Sequence, residues 1–260
     1  MISVNAISSA GNAASYYAKD NYYTVDQAEE ASAWAGEGAT ALGLEGAVDA
    51  ARFEAILEGR LPDGSVIDAR RGEHRPGWDL TMSVPKSVSV LALVGGDARL
   101  IAAVREAATA TLGWIERNIV EARVSTAEGQ RAVRTGNVLA ATFLHDVNRN
   151  GEPQLHVHNV LANATRMADG SWKALHSDAL YQRQHVMGAV FASTLRARVE
   201  ALGYVTTPAQ NPIDGAFDIA GVPRGVVEAF STRSGEIGAH LEAHGREGTA
   251  RERELATLAT

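Results

Sequence analysis

The sequence predicts an α+β fold around an antiparallel sheet, and three observations carry that prediction. Segments patterned as strands and segments with apolar residues at helical spacing are both present. They do not alternate one for one, as a doubly wound parallel sheet requires. Two strand-like stretches, 136–145 and 154–163, flank the loop "DVNRNGEP", which is short enough to fold them back on each other as a hairpin.

Taken in order, "DAARFEAILE" (Asp49 to Glu58) spaces Phe53, Ile56 and Leu57 as one face of a helix and stops at Gly59. "LPDGS" from Leu61 reads as a turn. "WDLTMSV", Trp78 to Val84, alternates partly and ends at Pro85, so it reads as a strand. Ser87 to Val94 suits a buried helix or a strand equally. Asp97 is placed to cap a helix running to about Val120, with Leu100, Ile101, Val104, Ala108, Leu112, Ile115 and Ile119 as its apolar stripe. After the hairpin, "DGSW" marks a turn with a short strand near Trp172. Ser177 is expected to cap one long helix to Leu202, burying Met187, Val190, Phe191, Leu195, Val199 and Leu202, with Gly203 as its stop. Pro223 opens a last helix that weakens toward Gly245.

The chain of 260 residues is long enough for a sizeable core and has no cysteine, which removes disulfides and thiolate metal sites. Its start has no basic residue before an apolar run, so it does not read as a signal peptide. No apolar run reaches the ~18 residues that suggest a membrane span. The net charge of −7 argues only mildly against a nucleic-acid partner. Residues 1–58 carry two basic and nine acidic residues and account for all of it, so the remainder is balanced. Local clusters such as Arg70, Arg71, His74 and Arg75 can still present positive surface.

Two stretches carry chemistry. The first is "HDVNRNGEPQLHVH", His145 to His158. On a strand, positions two apart share a face, so His156 and His158 point the same way. Across the hairpin His145 can lie opposite His156 and diagonal to His158, at Cβ separations of ~4.5–5.5 Å and ~7–8 Å. Three imidazoles can then converge on one ion and leave coordination positions open, the pattern of a catalytic site. The bland alternative is three unrelated strand histidines. For His74, His176, His185, His240 and His244, which lack such spacing, a solvated surface role is expected.

The second stretch is "ASYYAKDNYY", which holds Tyr16, Tyr17, Tyr22 and Tyr23, four of the six tyrosines in the chain. A phenol has a pKa of ~10 and is a poor nucleophile near neutrality. A divalent ion on the oxygens of a phosphodiester would activate the target by stabilising developing charge. Asp79 sits in an otherwise apolar strand, where a carboxylate needs a partner. It can orient a metal-bound imidazole or accept a proton from a nucleophile. Lys86 and Ser87 are candidate phosphate contacts. No GxxxxGK[ST] loop is present, so no nucleoside-triphosphatase signature accompanies them.

Together these stretches resemble the relaxase domain of MobF-type conjugative relaxases, within the wider HUH endonucleases. The resemblance runs through "SAGNAASYYAKDNYY", "WAGEGATALGLEGAVD", "LEGRLPDG", "HRPGWDLTMSVPKSVS", "GNVLAATFLHDVNRNGEPQLHVH" and "PRGVVEAFSTRS" in the family's order. It implies a central antiparallel sheet of about five strands with helices on both faces. It implies nicking of single-stranded DNA at a transfer origin, as hairpin plus nick site, through a covalent phosphotyrosine intermediate, followed by rejoining. Tyr16 would make the first attack and Tyr22 the second. The gap "AKDN" between the two pairs is short for the family. Tyr17 and Tyr23 would pack or position their neighbours, and in an extended segment one tyrosine of each pair would face the ion and the other the core. His145, His156 and His158 would bind one divalent ion, usually Mg²⁺ or Mn²⁺, although imidazoles alone also suit Zn²⁺ or Ni²⁺. Asp79 would support them, and Arg75, Lys86 and Arg149 would contact DNA. The resemblance further implies accessory transfer and coupling proteins, a bacterial cytoplasmic location and carriage into a recipient cell with the DNA. Residues 1–260 would form one nicking domain, ending before a helicase region. Two rival readings are a catalytically inactive DNA-binding module whose tyrosines only stack on bases, and a histidine-triad nucleotide hydrolase. The latter needs a third alternating histidine where this chain has Val160.

Overall fold

The computed structural model describes residues 1–19, 31–67, 74–210, 213–232 and 236. Its centre is a five-stranded sheet in the order β1-β3-β7-β6-β2, with every neighbouring pair antiparallel. The strands are β1 (Ile2–Ile7), β2 (Ser32–Ala35), β3 (Gly77–Ser83), β6 (Ala140–Val147) and β7 (Pro153–Ala162). Two-stranded ribbons flank it: β4 (Glu121–Thr126) with β5 (Gly129–Arg134), β8 (Thr165–Arg166) with β9 (Trp172–Lys173), and β10 (Thr206–Pro208) with β11 (Phe217–Ile219). The helices are α1 (Ala10–Lys19), α2 (Glu37–Ala41), α3 (Ala50–Leu57), α4 (Lys86–Leu93), α5 (Ala98–Asn118), α6 (Asp178–Gln182), α7 (Gln184–Ala201) and α8 (Arg224–Ala229). This is the α+β, antiparallel architecture expected, with helices on both faces.

The sheet separates two cores. On one face Trp78, Leu80, Met82, Leu144, Val157 and Leu161 meet α4, α5 and α7. On the other, Ala141, Phe143, Val160 and Ala162 meet α1, α2 and α3. The segregation follows from the period of two along each strand. The apolar stripe of α5 is buried on the first face from Leu100 to Ile115, and Asp97 caps it by accepting a hydrogen bond from the Arg99 amide at 3.0 Å. Asp49 caps α3 in the same way, 2.8 Å from the Arg52 amide. Such caps contribute ~1 kcal/mol each.

Several sequence expectations are refined. The undecided segment after Pro85 is the helix α4, which buries Val88, Val90 and Ala92. Ser89 Oγ bonds the Leu155 amide at 3.0 Å, tying α4 to β7. Strand β6 begins at Ala140, later than Gly136. The Val138 amide is taken instead by the buried Glu116 carboxylate at 2.7 Å, which also accepts the Glu37 amide. Gly36 and Gly38 pack directly beneath: a Cβ on Gly36, with φ +90°, would stand 2.4 Å from the Val138 carbonyl oxygen. The long helix after Ser177 is two helices. Arg183, at φ −111°, ψ 16°, interrupts it, and its guanidinium bonds the Asn118 carbonyl at the end of α5. Ser177 makes no side-chain cap. The strands β1, β2, β4, β5, β10 and β11 were not anticipated; apart from β1, their patterns are short or polar.

The first tyrosine pair lies in the helix α1, not in an extended segment. "SSAGNAAS" explains this: Ser9 Oγ accepts from the Asn12 amide at 3.3 Å, and Ala10, Ala13 and Ala14 are strong helix formers. Neighbouring residues are then about 100° apart around the axis, so the pair does not split between two opposite sides. Tyr22 and Tyr23 lie outside the described residues, as do residues 233–235 and 237–260 of the stretch in which the last helix was expected to weaken toward Gly245.

Candidate metal and nucleophile site

The hairpin register sets the site. His145 pairs with His156 directly, and Phe143 pairs with His158. Between His145 and Val147 the register shifts, so β7 carries one residue more than β6. The imidazole centroids are 5.3 Å apart for His145 and His156, 4.8 Å for His145 and His158, and 4.9 Å for His156 and His158. One nitrogen from each ring lies within 4.8 Å of the others, and this is the one such cluster of possible ligands among the described residues.

The tautomers are set from behind. His156 Nδ1 lies 2.7 Å from the Gln154 carbonyl, which can only accept, so Nδ1 carries the proton. His158 Nδ1 lies 2.7 Å from Asp79 Oδ2, with the same consequence. In both rings the lone pair is therefore on Nε2, the arrangement that outer partners impose on metal-binding histidines. Asp79 reaches His158 because β3 pairs with β7, placing Thr81 opposite His158 and Asp79 two residues along the same face. Burial, and then the neighbouring His158 and His156, push His145 down to about 3. Burial, with His158 next, pushes His156 down to about 4. Neutral imidazoles are the form that binds a metal ion, so the donor set fits a divalent cation.

Tyr17 ties α1 to this site. Its buried ring stacks on Phe143 at 5.2 Å and leans on His158 at 5.1 Å. The preceding residue of the same helix is Tyr16, whose side chain lies outside the described residues.

The expected DNA contacts differ among themselves. Arg149 is exposed on the hairpin loop, and Arg75 is exposed with its guanidinium 5.8 Å from the Trp78 ring centroid. Lys86 is half-buried and donates to the Pro153 carbonyl at 2.9 Å, and burial lowers its pKa. Ser87 is not a phosphate contact. It is buried, donates to Asp218 at 2.8 Å and accepts the Ile219 amide, joining α4 to β11. Arg70 and Arg71 lie outside the described residues.

Two histidines expected on the surface are not solvated. His74 is partly buried and its pKa is lowered by that burial. His176 stands between Glu121 and Asp178, 3.1 Å from the latter. His185 is exposed and pairs with Asp214. His240 and His244 lie outside the described residues.

Sequence reasoning missed Thr81, the Gln154 carbonyl and the ribbon β4–β5, which carries exposed Arg123, Arg131 and Arg134. Thr81 had a signal, since it stands two residues from Asp79 on a strand. The carbonyl had none.

This sheet, with three imidazoles on adjacent strands beneath a tyrosine-bearing helix, is the fold of a conjugative relaxase. A structure of the conjugative relaxase TrwC in complex with oriT DNA, metal-free, superposes with a TM-score of 0.88 at 35% identity, covering 100% of this chain and 90% of that one. A copper-bound TrwC–oriT complex gives 0.90 at the same identity and coverage. The TrwC relaxase family model matches residues 10–260, and the chain belongs to that family. The multifunctional conjugation protein TraI of Escherichia coli is 42% identical over 273 residues. That alignment takes in 100% of this chain and 15% of TraI, so the chain spans a small part of that relative's length.

Proposed function

We propose that this chain cuts one strand of DNA at a plasmid transfer origin by transesterification onto tyrosine, and rejoins strands by the reverse reaction. The observation that carries this reading is the triad of imidazoles on β6 and β7, directly beneath the helix that bears Tyr16 and Tyr17. The related TrwC complexes contain oriT DNA, in one case a 27-mer with the recognition hairpin and the cleavage site.

In this reading His145, His156 and His158 would hold one divalent ion, which would supply charge stabilisation at the phosphate. Mg²⁺ or Mn²⁺ is the expected ion, with Zn²⁺ or Ni²⁺ also suited to imidazole donors. The Tyr16 oxygen attacks phosphorus, a phosphate–tyrosine ester forms, and one deoxyribose oxygen leaves as a hydroxyl. The phenolic proton passes to a base, for which Asp79 is the candidate since its Oδ1 is buried with no hydrogen-bond partner among the described residues, and a proton is returned to the leaving oxygen. An ester replaces an ester, so a new hydroxyl can reverse the step without nucleotide hydrolysis. Tyr22 is the candidate for the second attack, because a tyrosine already esterified cannot make it. Tyr17, packed on Phe143 and His158, holds the helix over the site, and Tyr23 positions Tyr22.

Single-stranded DNA with a hairpin is the proposed partner. Arg75 and Arg149 are exposed for phosphate contacts, and Lys86 keeps donors beyond its bond to Pro153. The basic ribbon β4–β5 has the form that enters the groove of duplex DNA. Among the described residues no helix is long and apolar enough to cross a membrane. Action in the bacterial cytoplasm, carriage with the DNA into a recipient, accessory transfer and coupling proteins, and a helicase region beyond one nicking domain belong to the same proposal.

The test is adduct formation on a hairpin oligonucleotide with the nick site. Tyr16→Phe should fold and bind DNA as before while the covalent adduct disappears. Tyr22→Phe should leave the first cut largely intact and impair strand transfer. Peptide mapping decides the assignment: DNA on Tyr22 or Tyr23 at full rate would overturn it. DNA binding without any adduct in the unaltered chain would mark an inactive binding module instead.

A further inference from the structure

Three side chains on the triad face form a closed cluster that no ladder hydrogen bond requires. His158 on β7 meets Asp79 and Thr81 on β3, where Thr81 is its register partner. Thr81 Oγ1 lies 3.1 Å from Asp79 Oδ2 and 3.3 Å from His158 Nδ1, while Nδ1 lies 2.7 Å from Oδ2. One proton arrangement satisfies all three contacts. An ionised carboxylate only accepts, so Nδ1–H and Oγ1–H both donate to Oδ2. The threonine oxygen takes the minor share of Nδ1–H.

Two donors on one carboxylate oxygen resist rotation of the group about its Cβ–Cγ bond, a torsion that is otherwise broad. The threonine itself is well suited to hold still, because its β-branched side chain is stiff at χ1. A single imidazole donor on Asp79 would leave the carboxylate free to turn and exchange its oxygens.

We propose that Thr81 is a positioning residue, whose hydroxyl holds the Asp79 carboxylate in the orientation that keeps the His158 proton on Nδ1 and its lone pair on Nε2. The consequence for ion binding rests on the metal reading of the triad. The consequence for the tautomer does not. Loss of the hydroxyl should loosen the carboxylate, admit the other His158 tautomer and weaken the ion site, since partners of this kind typically contribute ~10–100-fold in metal affinity.

Two substitutions separate the hydroxyl from the shape of the side chain. Thr81→Val keeps the branched shape and removes the hydroxyl; Thr81→Ser keeps the hydroxyl and removes the methyl. Mn²⁺ affinity is measured by calorimetry on the whole chain without DNA. The His158 tautomer is read from nitrogen-15 imidazole NMR without metal. Thr81→Val should lose about tenfold or more in Mn²⁺ affinity and show mixed tautomers, while Thr81→Ser should match the unaltered chain in both. If Val matches the unaltered chain and Ser does not, the residue acts by packing and the proposal falls; it falls also if both match. Should Thr81→Val not fold, Thr81→Ala supplies the hydroxyl-free arm. An unaltered chain that takes up no Mn²⁺ would refute the metal reading, and the NMR comparison would still decide the role of Thr81.

Discussion

The two faces of the central sheet are built for different work. On one, the strands present Leu80, Met82, Leu144, Val157 and Leu161 to the long helices α5 and α7, and the core is large and mainly apolar. On the other lie the shorter helices α1, α2 and α3. There the same strands present Asp79, Thr81, His145, His156 and His158 beside Phe143 and Val160. A single residue step along β7 moves from one world to the other: Val157 is core, and its neighbours are imidazoles. The difference teaches that stability and chemistry share strands here without sharing side chains. The apolar face holds β3, β6 and β7 in register, and that register is what brings three imidazoles together.

The comparison breaks most visibly on the apolar face. Phe191→Ala removes a fully buried ring of α7 and should cost ~3–5 kcal/mol, a fall in melting temperature of about 10 °C. Metal bound per folded molecule should be unchanged. His156→Ala is the mirror experiment: metal content by mass spectrometry should collapse while the melting temperature of the metal-free chain moves little. Equal losses of stability from both would mean that the triad is part of the core and not a site set upon it.

A smaller effect is expected at Asp79. Asp79→Ala should slow cleavage and lower Mn²⁺ affinity by ~10–100-fold without abolishing binding at saturating metal, because its contact is with Nδ1 of His158 and not with the shared point. Metal loss as complete as in His156→Ala would make it a ligand.

Acidity separates the faces further. An unfolded histidine titrates near 6.5, whereas folded His145 and His156 are held down to about 3 and about 4 by burial and then by the neighbouring His158. Below pH 6.5 the unfolded chain gains protons that the folded chain refuses. Stability of the metal-free protein is therefore full above about pH 6.5 and falls as the pH drops toward 4 and then 3. For the same reason His145 and His156 should stay unprotonated at pH 5.5 in the metal-free chain, as read from nitrogen-15 imidazole NMR. Protonation of either ring at that pH would contradict the shifts. The least effect is expected from chelation on DNA binding. EDTA should abolish cleavage and leave binding of the single strand nearly intact, because phosphate contacts and stacking carry the affinity.

Much of this was legible in residue order. The period of two placed His156 and His158 together, and the hairpin loop placed His145 across from them; the register agrees in both respects. Asp97 announced its helix as a cap, and the spacing of Phe53, Ile56 and Leu57 announced α3. The reading of the first tyrosine pair as extended was wrong because alanines and a serine cap weigh more locally than two adjacent aromatics. The break at Arg183 was invisible, since the bond that accompanies it goes to Asn118, far away in the chain. His176 looked like a surface residue for the same reason: its neighbour Glu121 comes from a strand that gave no clear pattern.

What the residue order determined by itself was therefore local and periodic: which segments alternate, where helices start, which side chains share a strand face, and which residue types stand ready for metal and phosphate chemistry. Tertiary structure alone decided the pairing of β3 with β7, which brings Asp79 and Thr81 to His158. It also decided the seat of Tyr17 on Phe143 and the use of Glu116 to hold the amides of Glu37 and Val138. The physical reason is range. Propensity, capping and alternation act within a few residues, whereas a hydrogen bond between residues 79 apart exists only after burial of the apolar face has fixed which strands are neighbours.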